Sequence, residues 1–264
     1  MIAAFTVRLK PDTTYSDYVL GHDVLMLQTN DVASPPAAVA GERELKFTFP
    51  ASRAHLARRR LESLCRRDAE FPAAIVWTIY YDTPALASLS EKINSDYLKR
   101  KIRVRWYSDL EGRVSGPAFV EAKLRLGTQR SKVRARLPFP AEEIAQFNLQ
   151  DPRLLTAPLL LREQGVLAHE SWQPVLLLRY RRDRFVEPLT RSRISLDADI
   201  CGVSGNPRFL SAPNLSPLAT SVLEVKGDSD ELPVSLRLLL ALGMRKASFS
   251  KFLVVYAHMT RWVL

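Results

Sequence analysis

Cysteine and histidine are scarce in this chain. Of its 264 residues, two are cysteines, Cys65 and Cys201, and four are histidines, His22, His55, His169 and His258. There is no CxxC pair and no histidine pair beside either cysteine, so neither a structural zinc site nor a disulfide framework has support. Both thiols are expected as small buried hydrophobes. Long apolar runs are also missing. The best candidates, Phe252-Leu253-Val254-Val255-Tyr256 and Leu238-Leu239-Leu240-Ala241-Leu242, fall far short of the ~20 residues a membrane-spanning helix needs. The start, Met1 to Val7, precedes any basic residue and lacks the basic-then-apolar order of a secretory leader, so a cytoplasmic location is expected. Acidic residues are in deficit: 28 Asp+Glu face 38 Lys+Arg, a net charge of +10 with a pI near 9.8. A polyanionic partner follows, whether nucleic acid, a membrane surface or a phosphate-rich small molecule.

What is present is the composition of an ordinary globular protein, 47% hydrophobic and 25% charged, most simply one large domain. Residues 1–40 are weakly patterned and end in Asn30 to Ala38, rich in Pro, Ala and Ser, which reads as an N-terminal arm and linker. The patterned domain, 41–264, begins near Gly41. Period-2 alternation recurs along it. Glu42, Glu44, Lys46 and Thr48 alternate with Leu45, Phe47 and Phe49; Lys101, Arg103 and Arg105 with Ile102, Val104 and Trp106; Glu121, Lys123 and Arg125 with Val120, Ala122 and Leu124. Lys132, Arg134 and Arg136 alternate with Val133, Ala135 and Leu137. Arg179 and Arg181 oppose Leu178 and Tyr180, Arg191 and Arg193 oppose Ile194, and Glu224 and Lys226 oppose Leu223 and Val225. Each is a strand with one charged and one apolar face. Three leucine-spaced segments read as helices: about 52–68, capped by Ser52, then 153–164 and 233–242, ended by Gly165 and Gly243.

An open sheet with one wet face accounts for each strand alone. Taken together, the dominance of Arg and Lys and the threefold Glu-x-Lys pattern (Glu44-Lys46, Glu121-Lys123, Glu224-Lys226) favour a closed antiparallel barrel with its charged face inward. Confined like charges repel by about 4 kcal/mol at 4 Å for an effective dielectric near 20, so an anionic ligand is implied. Carboxylates among these bases suit a hard divalent cation, Mg²⁺ or Mn²⁺, bridging phosphate oxygens, and so metal-assisted phosphoryl chemistry.

The segments Glu44-Leu45-Lys46-Phe47, Thr78 to Pro84, Lys101 to Tyr107, Phe119 to Lys123, Val222 to Lys226 and Ser248-Phe249-Ser250-Lys251-Phe252 stand in the order of another protein family. From about Gly41 to Tyr256 the chain resembles the catalytic domain of the vacuolar transporter chaperones (VTC), within the triphosphate tunnel metalloenzyme (CYTH-like) superfamily. The resemblance implies an α+β fold, an eight-stranded antiparallel β-barrel tunnel with a charged interior and flanking helices. It also implies synthesis of inorganic polyphosphate from ATP with Mn²⁺ or Mg²⁺. Carried over to matching positions, Lys46, Arg103, Arg105, Lys123, Arg179 and Lys251 are the phosphate-binding catalytic set. Lys132, Arg193 and Ser250 are further substrate-binding positions, and Glu224, Glu121 and Glu44 are the metal carboxylates. Glu42-x-Glu44-x-Lys46 also resembles the Glu-x-Glu-x-Lys signature of triphosphatases in the superfamily, with water in place of the phosphate acceptor. A module that only binds polyphosphate or an inositol polyphosphate is the non-catalytic alternative. Nucleic-acid binding is not expected, because the bases alternate with apolar residues suited to helix packing. A membrane-bound partner stays open.

Overall fold

The computed structural model describes residues 43–127, 129–166 and 171–263; the expected N-terminal arm and Glu42 lie outside the described residues. The strands are β1 (Arg43–Pro50), β2 (Arg66–Arg67), β3 (Ala73–Asp82), β4 (Leu98–Ser108), β5 (Pro117–Leu126), β6 (Gln129–Pro140), β7 (Gln173–Val186), β8 (Arg193–Gly205), β9 (Thr220–Gly227) and β10 (Arg245–Lys246). The helices are α1 (Ala54–Leu64), α2 (Ala87–Ile93), α3 (Ala141–Ile144), α4 (Pro152–Thr156) and α5 (Lys251–Thr260), with 3₁₀ segments at Ala51–Arg53, Ala157–Gln164 and Val234–Leu242. No helix among the described residues is long and apolar enough to cross a membrane.

All ten strands belong to one sheet, ordered β10-β1-β9-β8-β7-β3-β4-β5-β6, with β2 on β7 and every pairing antiparallel. Alternation assigns its faces. Leu45, Phe47, Phe49, Ile194, Leu196, Leu223 and Val225 pack outward against α1 and the 234–242 segment. Ile102, Val104, Trp106, Val120 and Ala122 pack outward against α3, α4 and the 157–164 segment. On the inner face, α5 lays Phe252, Val255 and Met259 against Val76, Tyr80, Leu178, Tyr180, Ile200 and Val222. The inner face is therefore apolar where α5 covers it and charged elsewhere.

The expected eight-stranded closed barrel does not form. Among the described residues the sheet has ten strands, and its ends are not joined: β6 pairs there with β5 alone, while β1 pairs with β9 and with the two-residue β10. The free edge of β1 is taken by the segment leading into α5, with Phe47 opposite Lys246, Thr48 opposite Arg245, and Ala247 donating to the Lys46 carbonyl at 2.9 Å. The edge of β6 carries Pro138 and Pro140, which cannot donate to a ladder, and its inward Lys132, Arg134 and Arg136 would repel Lys46 across a closed seam. The result is an open sheet curled strongly enough that side chains of β5 and β1 interact across its concavity.

The first helix is shorter than its leucine spacing suggests, while the two later segments keep the expected bounds within a residue. Instead of running from Ser52 to Asp68, the first begins at Ala54 without a side-chain cap and stops at Cys65. There the backbone turns extended, so that Arg66 and Arg67 pair with Val186 and Phe185. The two later segments are largely 3₁₀, and Gly165 (φ 74°) and Gly243 (φ 78°) end them in the left-handed region as expected. Cys201 is buried and Cys65 half-buried, its thiol pushed up to about 11 by burial first and Glu187 second.

Because Phe252 is 1% exposed and stacks on Tyr80 with ring centroids 4.8 Å apart, it is the main apolar anchor of α5. Phe252→Ala is expected to lower unfolding free energy by about 3–5 kcal/mol, measured by urea denaturation. A loss under ~1 kcal/mol would show that α5 is held otherwise.

Candidate functional site

The charged part of the inner face consists of two ion-pair sets joined by tyrosine. The first is built by β1, β7, β8, β9 and the start of α5. Register places Lys46 directly opposite Glu224, with its Nζ 3.7 Å from Glu224 Oε1 and 3.6 Å from Glu44 Oε2. Glu44 also faces Lys226 at 3.8 Å. Ser250 caps α5 by accepting from the Leu253 amide, which aims the next residue, Lys251, inward. Lys251 Nζ lies 2.5 Å from Asp197 Oδ2 and 3.4 Å from Glu224 Oε1. Arg182 forks onto Asp197, Nε to Oδ1 at 2.6 Å and Nη2 to Oδ2 at 2.7 Å, and reaches Glu224 Oε2 at 3.2 Å. Burial acts to raise the Asp197 carboxyl, but Arg182 and Lys251 outweigh it and hold it below the usual range. Glu224 is held well below its usual range in the same way, by Lys251, Arg182, Lys46 and Lys123 against burial. Lys251 is raised in turn, because Asp197 and Glu224 overcome its burial.

The second set belongs to β4, β5 and β6. Register puts Arg103 opposite Glu121, and Arg103 donates to Glu121 Oε2 from Nε at 2.8 Å and Nη2 at 2.6 Å. Lys132 Nζ approaches Glu121 Oε1 at 2.8 Å and Arg134 Nε at 3.7 Å. Arg105 differs. It is 7% exposed, and among the described residues its guanidinium donates to neutral oxygens, Thr78 Oγ1 and Tyr180 Oη, both at 3.2 Å, while its charge helps hold the Glu121 carboxyl below its usual range. Tyr180 thereby links the sets, since its ring also lies under Lys251 at 4.8 Å and Arg182 at 5.4 Å. Lys123 keeps contact with water, yet Arg103 first, then burial, then Arg105 and Lys46 hold its ammonium well below the usual lysine range against the pull of Glu44. Lys101, which donates to Ser250 Oγ at 2.9 Å, is pushed down to about 8, chiefly by burial and then by Lys92, Lys46 and Arg103. Tyr80 stands among Arg103, Arg105, Lys101 and Lys251, which together overcome its burial and lower its phenol.

Lys46, Arg103, Arg105, Lys123, Lys132, Glu44, Glu121, Glu224, Ser250 and Lys251 are thus brought to one face of the sheet. Arg193 shares that face at its rim, opposite Lys226. Arg179 does not: it is exposed on the outer face, 5.8 Å from the Trp77 ring. Bulges between Leu177 and Leu178 and between Arg179 and Arg181 mark where β7 departs from simple pairing with β8. The arginine that reaches the site from β7 is Arg182. Its partner Asp197 gave a faint signal in the Ser195-x-Asp197-x-Asp199 alternation; Arg182 sits in the run Arg179-Tyr180-Arg181-Arg182, where alternation offers two registers.

Among the described residues no group of three or more His, Cys, Asp or Glu suited to hold a metal occurs. Glu44 and Glu224 nevertheless flank one cationic position from two sides, taken by the Lys46 ammonium. A hard divalent cation shared with phosphate oxygens needs only one or two carboxylates, so this pair fits in donor type. Glu121 is enclosed by its own three cations in the second set.

Residues 42–260 match the VTC domain model. The chain belongs to the VTC domain family, of the CYTH-like superfamily. No curated protein matches the sequence significantly. Among solved structures, a candidate adenylate cyclase from Bacillus halodurans is similar at 12% identity and a TM-score of 0.44, covering 80% of this chain and 95% of that one. A candidate adenylate cyclase from Vibrio parahaemolyticus is similar at 12% identity and 0.42, covering 81% and 97%. A conserved hypothetical protein from Pyrococcus furiosus is similar at 9% and 0.39, covering 77% and 92%. At these scores the likenesses carry no argument for this VTC domain.

The lysines set a pH dependence. Lys101 and Lys123 bind protons more weakly folded than unfolded, so between about 8 and the ordinary lysine value of 10.5 the unfolded chain holds more protons and stability rises with pH. Above about 9 the Cys65 thiol, raised when folded, acts in the opposite direction. From pH 8 to 9 the unfolding free energy of the ligand-free protein, measured by urea denaturation, is expected to rise, by on the order of 1 kcal/mol at most for the half-buried Lys101 and by less for the exposed, solvent-screened Lys123. Tripolyphosphate should flatten that slope by restoring the ammonium charge. A midpoint that falls over this window without ligand would contradict the assignment.

Proposed function

We propose that this VTC domain is a phosphotransferase that lengthens inorganic polyphosphate at the expense of ATP. Family membership supports a phosphotransferase-type enzyme in general. The observation that carries the finer reading is the excess of cations around Arg105, which is buried, donates to neutral oxygens and shares the Glu121 carboxylate with Arg103 and Lys132, beside the depressed Lys123 and Lys101 ammoniums. Buried cations in excess of their counter-ions cost several kcal/mol, so a face that retains them is built for an anion that arrives from outside.

In this reading Arg103, Arg105, Lys123 and Lys251 hold the triphosphate, and Lys132 and Arg134 complete the side nearest β6. Glu121 positions Arg103 through its forked hydrogen bonds. Glu224 and Glu44 would hold a divalent cation, Mn²⁺ or Mg²⁺, which when bound draws charge from the phosphate oxygens. The terminal oxygen of an acceptor phosphate attacks the γ-phosphorus in line. One P–O bond forms as the bond to the bridging oxygen of ADP breaks, and ADP leaves with that electron pair. An ionised acceptor has no proton to give up, so no general base is required. The basic face stabilises charge on the transferring oxygens and the leaving ADP. Hydrolysis of triphosphate is the second reading; it uses the same groups with water as acceptor.

The test follows ADP and long-chain polyphosphate together in protein incubated with ATP and Mn²⁺ or Mg²⁺. Wild type is expected to make both. Lys123→Ala should weaken ATP binding and slow turnover, since it removes a contact felt by ground and transition states alike. Glu224→Gln should retain the fold and metal-free anion binding while turnover falls by two or more orders of magnitude, each 1.36 kcal/mol being tenfold. ADP and phosphate without polymer would establish the triphosphatase instead, and full activity in Glu224→Gln would remove the metal assignment.

A further inference from the structure

The cations of the inner face continue past the site. Across β4, β5 and β6 the register sets Lys101 opposite Lys123 and Lys123 opposite Lys132, three lysines abreast on adjacent strands. Two residues further along the strands, about 7 Å away, Lys99 stands opposite Arg125. Like charges directly opposite one another are destabilising, and an ordinary solvated face intersperses acids among its bases. Here the nearby acids are engaged elsewhere. Glu91 accepts from Arg100 Nη2 at 3.2 Å and Nε at 3.3 Å. Glu44 serves Lys46 and Lys226, and Glu121 serves its three cations. Among the described residues, none of Lys92, Lys99, Lys101, Lys123 and Arg125 has a carboxylate within ion-pair distance.

Lys92 brings a further cation to the same end from α2. Its Nζ donates to Ser248 Oγ at 2.8 Å, just before α5, as Lys101 does to Ser250. Helix α2 packs on β4, which carries Lys99, and the Lys92 ammonium is lowered by burial first and then by Lys99, Lys46 and Arg125. Arg125 is oriented by a 2.7 Å hydrogen bond from Nε to the Gly127 carbonyl. Serine hydroxyls and a carbonyl orient these cations without neutralising them.

We propose that Lys92, Lys99 and Arg125 form a distal anion subsite that holds the far phosphates of a linear inorganic polyphosphate whose near end lies against Lys123 and Arg103. The proposal rests on the phosphotransferase reading for the near end. It goes beyond that reading in assigning the acceptor or product chain to the side bounded by α2 and the start of β4. The row of cations runs in one direction, so a compact triphosphate is satisfied by the near rows alone and a longer chain gains contacts with each added phosphate.

The probes are tripolyphosphate and long-chain polyphosphate, each titrated calorimetrically into the whole protein at several salt concentrations. In the double variant Lys92→Ala/Arg125→Ala, the dissociation constant for tripolyphosphate is expected to stay within about twofold of wild type. That for the long chain should rise about tenfold, with a salt dependence shallower by roughly one power of salt per cation removed. Lys92→Arg, which keeps the charge, should bind both probes as wild type does. Equal losses for both probes, or no loss for either, would overturn the subsite. So would an oligonucleotide of matched charge bound by wild type as tightly as polyphosphate. A wild type that binds both probes with these differences yet releases no ADP from ATP would leave the subsite standing and remove the phosphotransferase reading alone.

Discussion

Positive charge confined on the inner face of a curled sheet is the constraint to which the rest of this structure answers. Two cations 4 Å apart repel by about 4 kcal/mol at an effective dielectric near 20, comparable with the effect of a large core truncation. The protein meets that repulsion unevenly. Near β8 and β9, Asp197 and Glu224 neutralise Arg182, Lys251 and Lys46. On β5, Glu121 neutralises Arg103 and Lys132. Between these sets, Arg105, Lys101 and Lys123 exceed the acids near them: Arg105 donates to hydroxyls and shares Glu121, Lys101 donates to a hydroxyl, and Lys123 is exposed to water. The ligand-free fold therefore stores repulsion at the place where a phosphate chain would relieve it.

The buried ion pairs position more than they stabilise. Taking Asp197 and Arg182 out of water costs most of what their attraction returns. What attaches α5 to the sheet is the apolar contact of Phe252, Val255 and Met259 with β3, β7 and β9, together with the Tyr80 stack. Given that attachment, the Ser250 cap fixes where the helix begins, and so where the Lys251 ammonium lies. Sequence, cap, helix and charge are thus linked in order. The same segment closes the free edge of β1 through β10, so the element that brings Lys251 inward also keeps β1 from pairing with β6.

Much of this was legible in the alternation of residues and some was not. For β1, β4, β5, β6 and β9, the charged positions Lys46, Arg103, Lys123, Lys132 and Glu224 face inward as their period-2 pattern states, because one face must be buried and a slip by one residue would invert it. On β7 the run Arg179-Tyr180-Arg181-Arg182 offers two registers, and the structure turns Tyr180 and Arg182 inward. Closure is a matter of edges rather than faces, and nothing in a period-2 pattern says which edge a two-residue strand such as β10 will occupy. The first helix ended early for a related reason: Arg66 and Arg67 pair with β7 in a way that leucine spacing does not reveal.

The two chemical readings place different demands on the far end of the concavity. Water as acceptor is small and neutral, and cations beyond the triphosphate do nothing to bind or orient it. A phosphate chain as acceptor carries like charge toward a charged donor, and that approach is opposed unless cations screen both at once. In the proposed arrangement Lys123 touches the donor, and Lys101 stands opposite Lys123, one step of same-face residues from the Lys99–Arg125 row. Retaining the Lys99–Arg125 row costs stability in the absence of ligand, and a hydrolase of triphosphate would gain nothing from that row in return. In the proposed reading, an enzyme that joins two polyanions lowers the electrostatic part of its barrier by cations placed beyond the donor, and it is on this row that the proposal of transfer to phosphate departs from transfer to water.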